Sequence, residues 1–313
     1  MIEGTGRRRP GAGKAKALRV SFVSFVFFVV CSLLVAAIAS PAAKDDAAYR
    51  KSLEEWKAQR VESLKRNWLT LAGLSWLKQG ENSFGSDRSN RVLLPKSAPA
   101  QAGVFILKGG ETWVRVNDGV RVTSGGGRVR ELKLVADDPG PETVLELGSL
   151  RLHVIKRHAR YAVRIKDFAS SEAKKFSGLS YFPVGSGYRV TGKFEPSPGK
   201  KVTIPDVTGD VNEVEVPGVV RFQLHGREFT LTPLPSADNE LFFILEDQTK
   251  GKETYPAGRY LYTDMPKDGK VVLDFNRAQN PPCAFTAYAT CPLPPKENKL
   301  PIRIEAGEKY EKQ

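Results

Sequence analysis

Cysteine and histidine are scarce: the 313-residue chain holds three of each. There is no His-Glu-x-x-His, no paired Cys-x-x-Cys and no histidine close to Cys283 or Cys291, so the roughly four ligands of a zinc site are not assembled in sequence. A Gly-x-Ser-x-Gly elbow is also missing, which removes the usual signature of a serine hydrolase. Gly187-Tyr188-Arg189-Val190-Thr191-Gly192-Lys193-Phe194 mimics a phosphate loop, but Phe194 stands where a hydroxyl is required and the setting is a β-like run. No metal and no cofactor is expected. His153 and His225 read as strand or turn residues. His158, in Lys156-Arg157-His158-Ala159-Arg160, belongs to a basic run that is either a solvated edge or an anion-binding wall.

The net charge is +13. Arg7, Arg8, Arg9, Lys14, Lys16 and Arg19 against Glu3 give the first 39 residues +5 of it, leaving +8 for the rest. Those 39 residues read as a targeting segment: a basic stretch, an apolar run from Val20 to Ala39, and Ala37-Ile38-Ala39 as a small-x-small cleavage pattern. Cleavage after Ala39 and export to the periplasm or exterior are expected. An uncleaved inner-membrane anchor is the alternative, since about 20 apolar residues suffice to span a bilayer. The moderately basic body suits anionic ligands or cell-wall polymers. Its cations are dispersed rather than interleaved with aromatic platforms, so no nucleic-acid partner is expected, and oligomeric state is not legible.

Residues 40–48 read as a linker, and Tyr49 to Lys65 as an amphipathic helix with Leu53, Trp56, Arg60 and Leu64 in one stripe. From Asn82 onward short β-like runs alternate in period two and are punctuated by glycine, aspartate and proline, as in Trp113-Val114-Arg115-Val116. The expected fold is mainly β: an N-terminal helix, two antiparallel sandwich- or barrel-like units over 49–166 and 167–313, and a proline-rich C-terminal loop. Gly85-Ser86, Asn90, Val92-Leu93, Ser97 and Gly109-Gly110 resemble the opening of forkhead-associated domains, β-sandwiches that bind phosphothreonine. Ser86 stands where that family has its arginine, so the resemblance implies the sandwich rather than the binding.

The stretch Asp274 to Asn298 is the most distinctive. Pro281, Pro282, Pro292, Pro294 and Pro295 fix φ and remove backbone donors, so neither a helix nor a central strand can run through it. It is expected to be a stiff loop anchored by Phe275, Phe285, Tyr288 and Leu293. In an oxidising compartment Cys283 and Cys291 are expected to pair, and closing so short a loop contributes about 2.5 kcal/mol; two buried free thiols are the alternative. Leu273-Asp274-Phe275-Asn276-Arg277-Ala278, Asn280-Pro281-Pro282-Cys283-Ala284-Phe285 and Cys291-Pro292-Leu293-Pro294-Pro295 resemble the end of a bacterial and archaeal family of domains of unknown function, family 1684. Asp247-Gln248-Thr249, Tyr255, Gly258-Arg259-Tyr260-Leu261 and Ala306-Gly307-Glu308 extend the resemblance, and Trp68 to Leu74 with Trp76-Leu77 and Gly80-Glu81-Asn82 resembles the family's opening. The resemblance spans roughly residues 55–309 and implies no particular activity.

Asp247, Thr249, Tyr255, Arg259, Asp274, Asn276 and Arg277 form the candidate ligand-binding set. Arginine forks recognise carboxylate or phosphate bidentately, and the carboxylates orient them. Arg259 and Asp274 are expected to meet on adjacent strands and line a pocket closed by the proline loop; the alternative is a buried structural pair. The expected function is binding of a small polar or anionic ligand by an exported protein. The alternatives are an envelope hydrolase using Asp274 or Asp247 as acid or base, and a structural partner-binding protein.

Overall fold

A computed structural model of the chain describes residues 41–236 and 239–311. The targeting segment and its cleavage site lie outside the described residues. The chain divides into two units, Met1–Lys51 and Ser52–Gln313. In the first, Arg50 and Asp46 form an ion pair of 2.9 Å; all the described β structure lies in the second.

Helix α1 (Pro41–Asn67) starts earlier than the apolar stripe requires and takes in most of the stretch expected as a linker. Proline is tolerated in a first helical turn because its missing N–H would have no intrahelical partner anyway. The stripe faces inward as its spacing predicts: Leu53 and Leu64 are fully buried and Arg60 nearly so. Among the described residues no helix is long and apolar enough to cross a membrane.

The first β region comprises β1 (Leu71–Trp76), β2 (Gly80–Gly85), β3 (Val92–Leu93), β4 (Gly103–Lys108), β5 (Glu111–Val116), β6 (Val122–Ser124), β7 (Gly127–Val129), β8 (Glu131–Leu134), β9 (Leu145–Leu147), β10 (Leu150–Arg157) and β11 (Arg160–Asp167). They form a six-stranded sheet, β1-β11-β10-β9-β6-β7, and a five-stranded sheet, β3-β2-β4-β5-β8. Phe84, Phe105 and Val114 of the smaller sheet share one core with Leu152, Val154, Val163 and Ile165 of the larger, which makes this half a sandwich. The hairpin β10–β11 departs from simple alternation. Leu152 to Ile155 and Ala162 to Ile165 are buried without a break, the mark of strands covered on both faces.

After the short α2 (Glu172–Lys175) come β12 (Arg189–Pro196), β13 (Lys201–Pro205), β14 (Val211–Glu215), β15 (Gly218–Leu224), β16 (Arg227–Leu231), β17 (Leu234–Pro235), β18 (Glu240–Leu245), β19 (Arg259–Asp264) and β20 (Lys270–Asp274). Their sheets run β16-β15-β12-β20, β13-β14 and β17-β18-β19. All their pairings are antiparallel and no sheet closes into a barrel. His225, at φ 50, and Gly226, at φ 73, make the two-residue turn between β15 and β16, as the His-Gly pair between strand runs predicts. Phe222, Phe243, Leu261, Leu273 and Phe275 centre the core of this half.

Past β20 the chain runs without regular strands, with isolated 3-10 turns at Phe275–Arg277, Pro282–Ala284 and Lys296–Asn298. The prolines dictate this. Phe275 anchors the stretch as expected, whereas Tyr288 points outward, 37% exposed. Asn298 staples its end: the side chain accepts from Thr232 N–H (2.7 Å) and donates to the carbonyls of Thr232 (2.8 Å) and Ile244 (2.9 Å).

Candidate functional site

The structure separates the seven candidate residues into three places. Arg259, 1% exposed, pairs with Asp247 at 2.5 Å rather than with Asp274. It also donates to the carbonyls of Ile304, at 2.9 Å, and Ala306. Asp247 Oδ1 meanwhile accepts from the Thr249 backbone N–H (2.8 Å), the Thr249 hydroxyl (2.7 Å) and Ile304 N–H (3.2 Å). The expected Arg259–Asp274 pair is absent because β19 and β20 belong to different sheets: β19 pairs with β18, and β20 with β12.

Asp274 instead ends β20 and caps the turn that follows, accepting from Asn276 N–H at 3.2 Å and facing Arg277 at 3.4 Å. Asn276 clasps Gly185, donating to its carbonyl at 3.0 Å and accepting from its N–H at 3.1 Å. Arg277 reaches Ser52 at 3.1 Å. Tyr255 donates to the carbonyl of Cys283 at 2.9 Å. Asp247, Arg259, Asp274, Asn276 and Tyr255 thus all bind backbone groups, whereas Arg277 reaches the side chains of Ser52 and Asp274.

The expected disulfide is also absent: Cys283 and Cys291 are free thiols. They touch through hydrogen bonds, with Cys283 N–H donating to Cys291 Sγ at 3.2 Å. The Cys283 thiol donates as well, drawing the Cys291 thiol below the ordinary cysteine value and pushing its own above it.

Cys291 and the proline loop do border a cavity, but other residues dominate it. This cleft, of ≈ 380 Å³, is lined by Arg60 and Ser63 of α1, Trp68, Arg157 and Arg164 of β10 and β11, and Phe242, Tyr260 and Tyr262 of β18 and β19. Gln279, Asn280, Pro282, Thr290, Cys291 and Pro292 complete it from the C-terminal stretch. None of the seven candidate residues lines it.

Three arginines reach this cleft in different electrostatic states. Arg60 is satisfied: it pairs with Glu308 at 2.9 Å and donates to the Asn280 carbonyl at 2.7 Å. Glu308 is fully buried, and burial raises its carboxyl above the ordinary value against the pull of Arg60. Arg157 pairs with Asp137 at 2.9 Å and donates to Thr290 Oγ1 at 3.0 Å.

Arg164 is only 8% exposed, yet among the described residues it has no carboxylate partner. Its Nε makes no hydrogen bond, its Nη2 reaches Thr290 Oγ1 at a long 3.5 Å, and its guanidinium lies 5.9 Å from the Trp68 ring. Burial, reinforced by the neighbouring charge of Arg157, pulls its pKa down to about 10. It therefore remains charged at neutral pH.

Part of the lining is aromatic. Phe242 stacks on Tyr262 with centroids 4.8 Å apart and planes at 14°, and meets Tyr260 edge-on at 84°. Tyr260 is fixed by donating to the Pro292 carbonyl at 3.0 Å. Such a cleft can take a ligand with a planar apolar body and a compact anionic group, the anion forming charge-assisted hydrogen bonds with a guanidinium already stripped of water.

In the sequence Arg157 stands in a basic run and Arg60 in a core stripe, while nothing marks Arg164. In Arg160-Tyr-Ala-Val-Arg-Ile-Lys-Asp167 it alternates with Val163 and Ile165, a spacing that reads as an outward, solvated position. The cover laid over that face comes from residues about a hundred positions later.

The family described as Protein of unknown function (DUF1684) matches residues 174–309. Over that segment the chain belongs to this family. The match takes in β12 to β20 and the whole C-terminal stretch, and begins well after residue 55. An uncharacterized protein of Haloarcula marismortui, solved by NMR in solution, is 30% identical over 44% of this chain and 80% of its own, with a TM-score of 0.37. A crystal structure of the FhaA FHA domain complexed with the intracellular domain of Rv3910 aligns at 15% identity over 29% of this chain and 96% of its own, with a TM-score of 0.21. No curated protein matches the chain.

Proposed function

We propose that this is an exported protein that binds a small organic anion, a carboxylate or phosphate carried on a planar unsaturated body, in the cleft headed by Arg164. The observation that carries the reading is the buried guanidinium without a carboxylate. Leaving a charge in that state costs the folded chain several kcal/mol unless something else compensates it. A ligand anion would supply the missing partner, with the Phe242, Tyr260 and Tyr262 rings packing its apolar part. Arg157 and Arg60, already paired with Asp137 and Glu308, hold the walls. Export is supported by the basic, apolar and small-x-small succession of the first 39 residues.

The test is calorimetric titration with benzoate, phenyl phosphate and their uncharged amide and alcohol counterparts. Binding of the anions and not of the neutral counterparts is expected, and Arg164→Met should weaken it by 30-fold or more, about 2 kcal/mol. Equal binding of charged and neutral probes, or an Arg164→Met variant that binds as well as wild type, would contradict the reading.

A further inference from the structure

The outer face of the six-stranded sheet carries a second cavity, of ≈ 340 Å³, lined by Glu142, Val144, Arg151, His153, Lys166 and Phe168. Arg151 faces Lys166 across the β10–β11 ladder and His153 faces Arg164. The four therefore share one face in two adjacent rows, Arg164 turning to the arginine cleft and the other three to this cavity. His153 is 7% exposed and makes no hydrogen bond among the described residues. Lys166 is half-buried and has no carboxylate partner there. Arg151 is steadied by Glu146 at 3.2 Å and by the Phe168 ring at 5.9 Å. A buried imidazole without a hydrogen bond and an ammonium without an ion-pair partner thus face one cavity, whose lining holds a single carboxylate, Glu142.

We propose that this cavity is a second anion site, separate from the cleft, that takes one compact oxyanion on Lys166, with His153 taking up a proton from solvent as it fills. The groups that set His153 are on three sides. Burial, then Arg164 and Lys166 of β11, hold its pKa down to about 4, while Glu142 and Asp137 from the preceding loop pull the other way; Arg151, two positions away on its own strand, completes the set. Burial and Arg164 likewise lower Lys166. An anion between them reverses the sign of the local field, so the imidazolium becomes the favoured form and supplies a second donor to the ligand.

The experiment follows the ring protons of His153 by NMR from pH 3.5 to 8, in sodium sulfate and in sodium chloride of equal ionic strength. Sulfate keeps its charge across that range. With three histidines in the chain, His153→Gln assigns the signal, and the His158 and His225 signals report that each variant is folded. Sulfate should raise the His153 midpoint by one pH unit or more. Lys166→Met should abolish the difference between the salts, and Arg164→Met should leave it in place. Identical midpoints in the two salts would overturn the proposal. So would a sulfate effect that survives Lys166→Met and disappears in Arg164→Met, because the anion would then sit in the arginine cleft.

Discussion

Arg259 and Arg164 are both buried arginines, and their surroundings assign them opposite roles. Arg259 is compensated by Asp247 and two carbonyls. Removing one partner of such a pair strands the other charge, so Arg259→Met and Asp247→Asn should each cost about 3–5 kcal/mol in urea unfolding. Anion affinity in the folded fraction should not change. His153 gives the residue scale its pH signature. Its pKa is about 4 in the folded protein against roughly 6.5 when unfolded, so as pH falls the unfolded chain takes up the proton first. Stability should be lost between about pH 6.5 and pH 4, by up to about 3 kcal/mol. In His153→Gln, chemical denaturation at a series of pH values should show a flatter slope through that window. The identities of the polar residues near the C-terminus were legible in the sequence, and their partners were not. Asp247, Thr249 and Arg259 do converge, but a pairing between Arg259 and Asp274 needed knowledge of which strands share a sheet.

Among the elements, the C-terminal stretch was the most legible, because proline chemistry is local: five prolines preclude regular structure wherever the chain later packs. The cysteine pair was the exception. Sequence spacing and compartment argue for a bond, whereas the folded geometry turns the Cys283 amide toward Cys291 Sγ and leaves two thiols. The end of the stretch is held by close backbone contact. Gly307 has φ 79, and a Cβ there would lie 2.3 Å from the Ala278 carbonyl oxygen and 2.8 Å from that of Phe275. The adjacent Glu308 binds Arg60 and, at 2.8 Å, Asn280 N–H. Gly307→Ala should therefore destabilise the fold by more than about 2 kcal/mol, well beyond the usual helix or strand penalty, as read from its thermal unfolding. Most strands were also legible, since half-buried strands write their alternation into the sequence. The β10–β11 hairpin hid its importance for the same reason: its outer-face residues look solvated until a second layer covers them.

At the scale of the whole molecule, the arginine cleft exists because two β regions and a rigid loop meet over that hairpin. Helix α1 supplies Arg60, the first β region Arg157 and Arg164, the second the Phe242, Tyr260 and Tyr262 rings, and the loop the rest of the rim. No sequence window contains the site, which spans from Arg60 to Pro292, and this is why composition revealed a basic protein but not where its charge is left uncompensated. A buried charge without a partner is a cost in the empty protein and an asset in the complex, so stability and binding should move in opposite directions when it is removed. The most direct measurement is thermal unfolding of wild type and Arg164→Met, each alone and with benzoate or phenyl phosphate at saturating concentration. The account predicts that the empty variant melts at or above wild type, that anion raises the wild-type midpoint by the equivalent of about 2.7 kcal/mol at a hundred times its dissociation constant, and that the variant gains nothing. A variant that melts several degrees lower while keeping the full anion response would contradict it, as would a wild type that no anion stabilises.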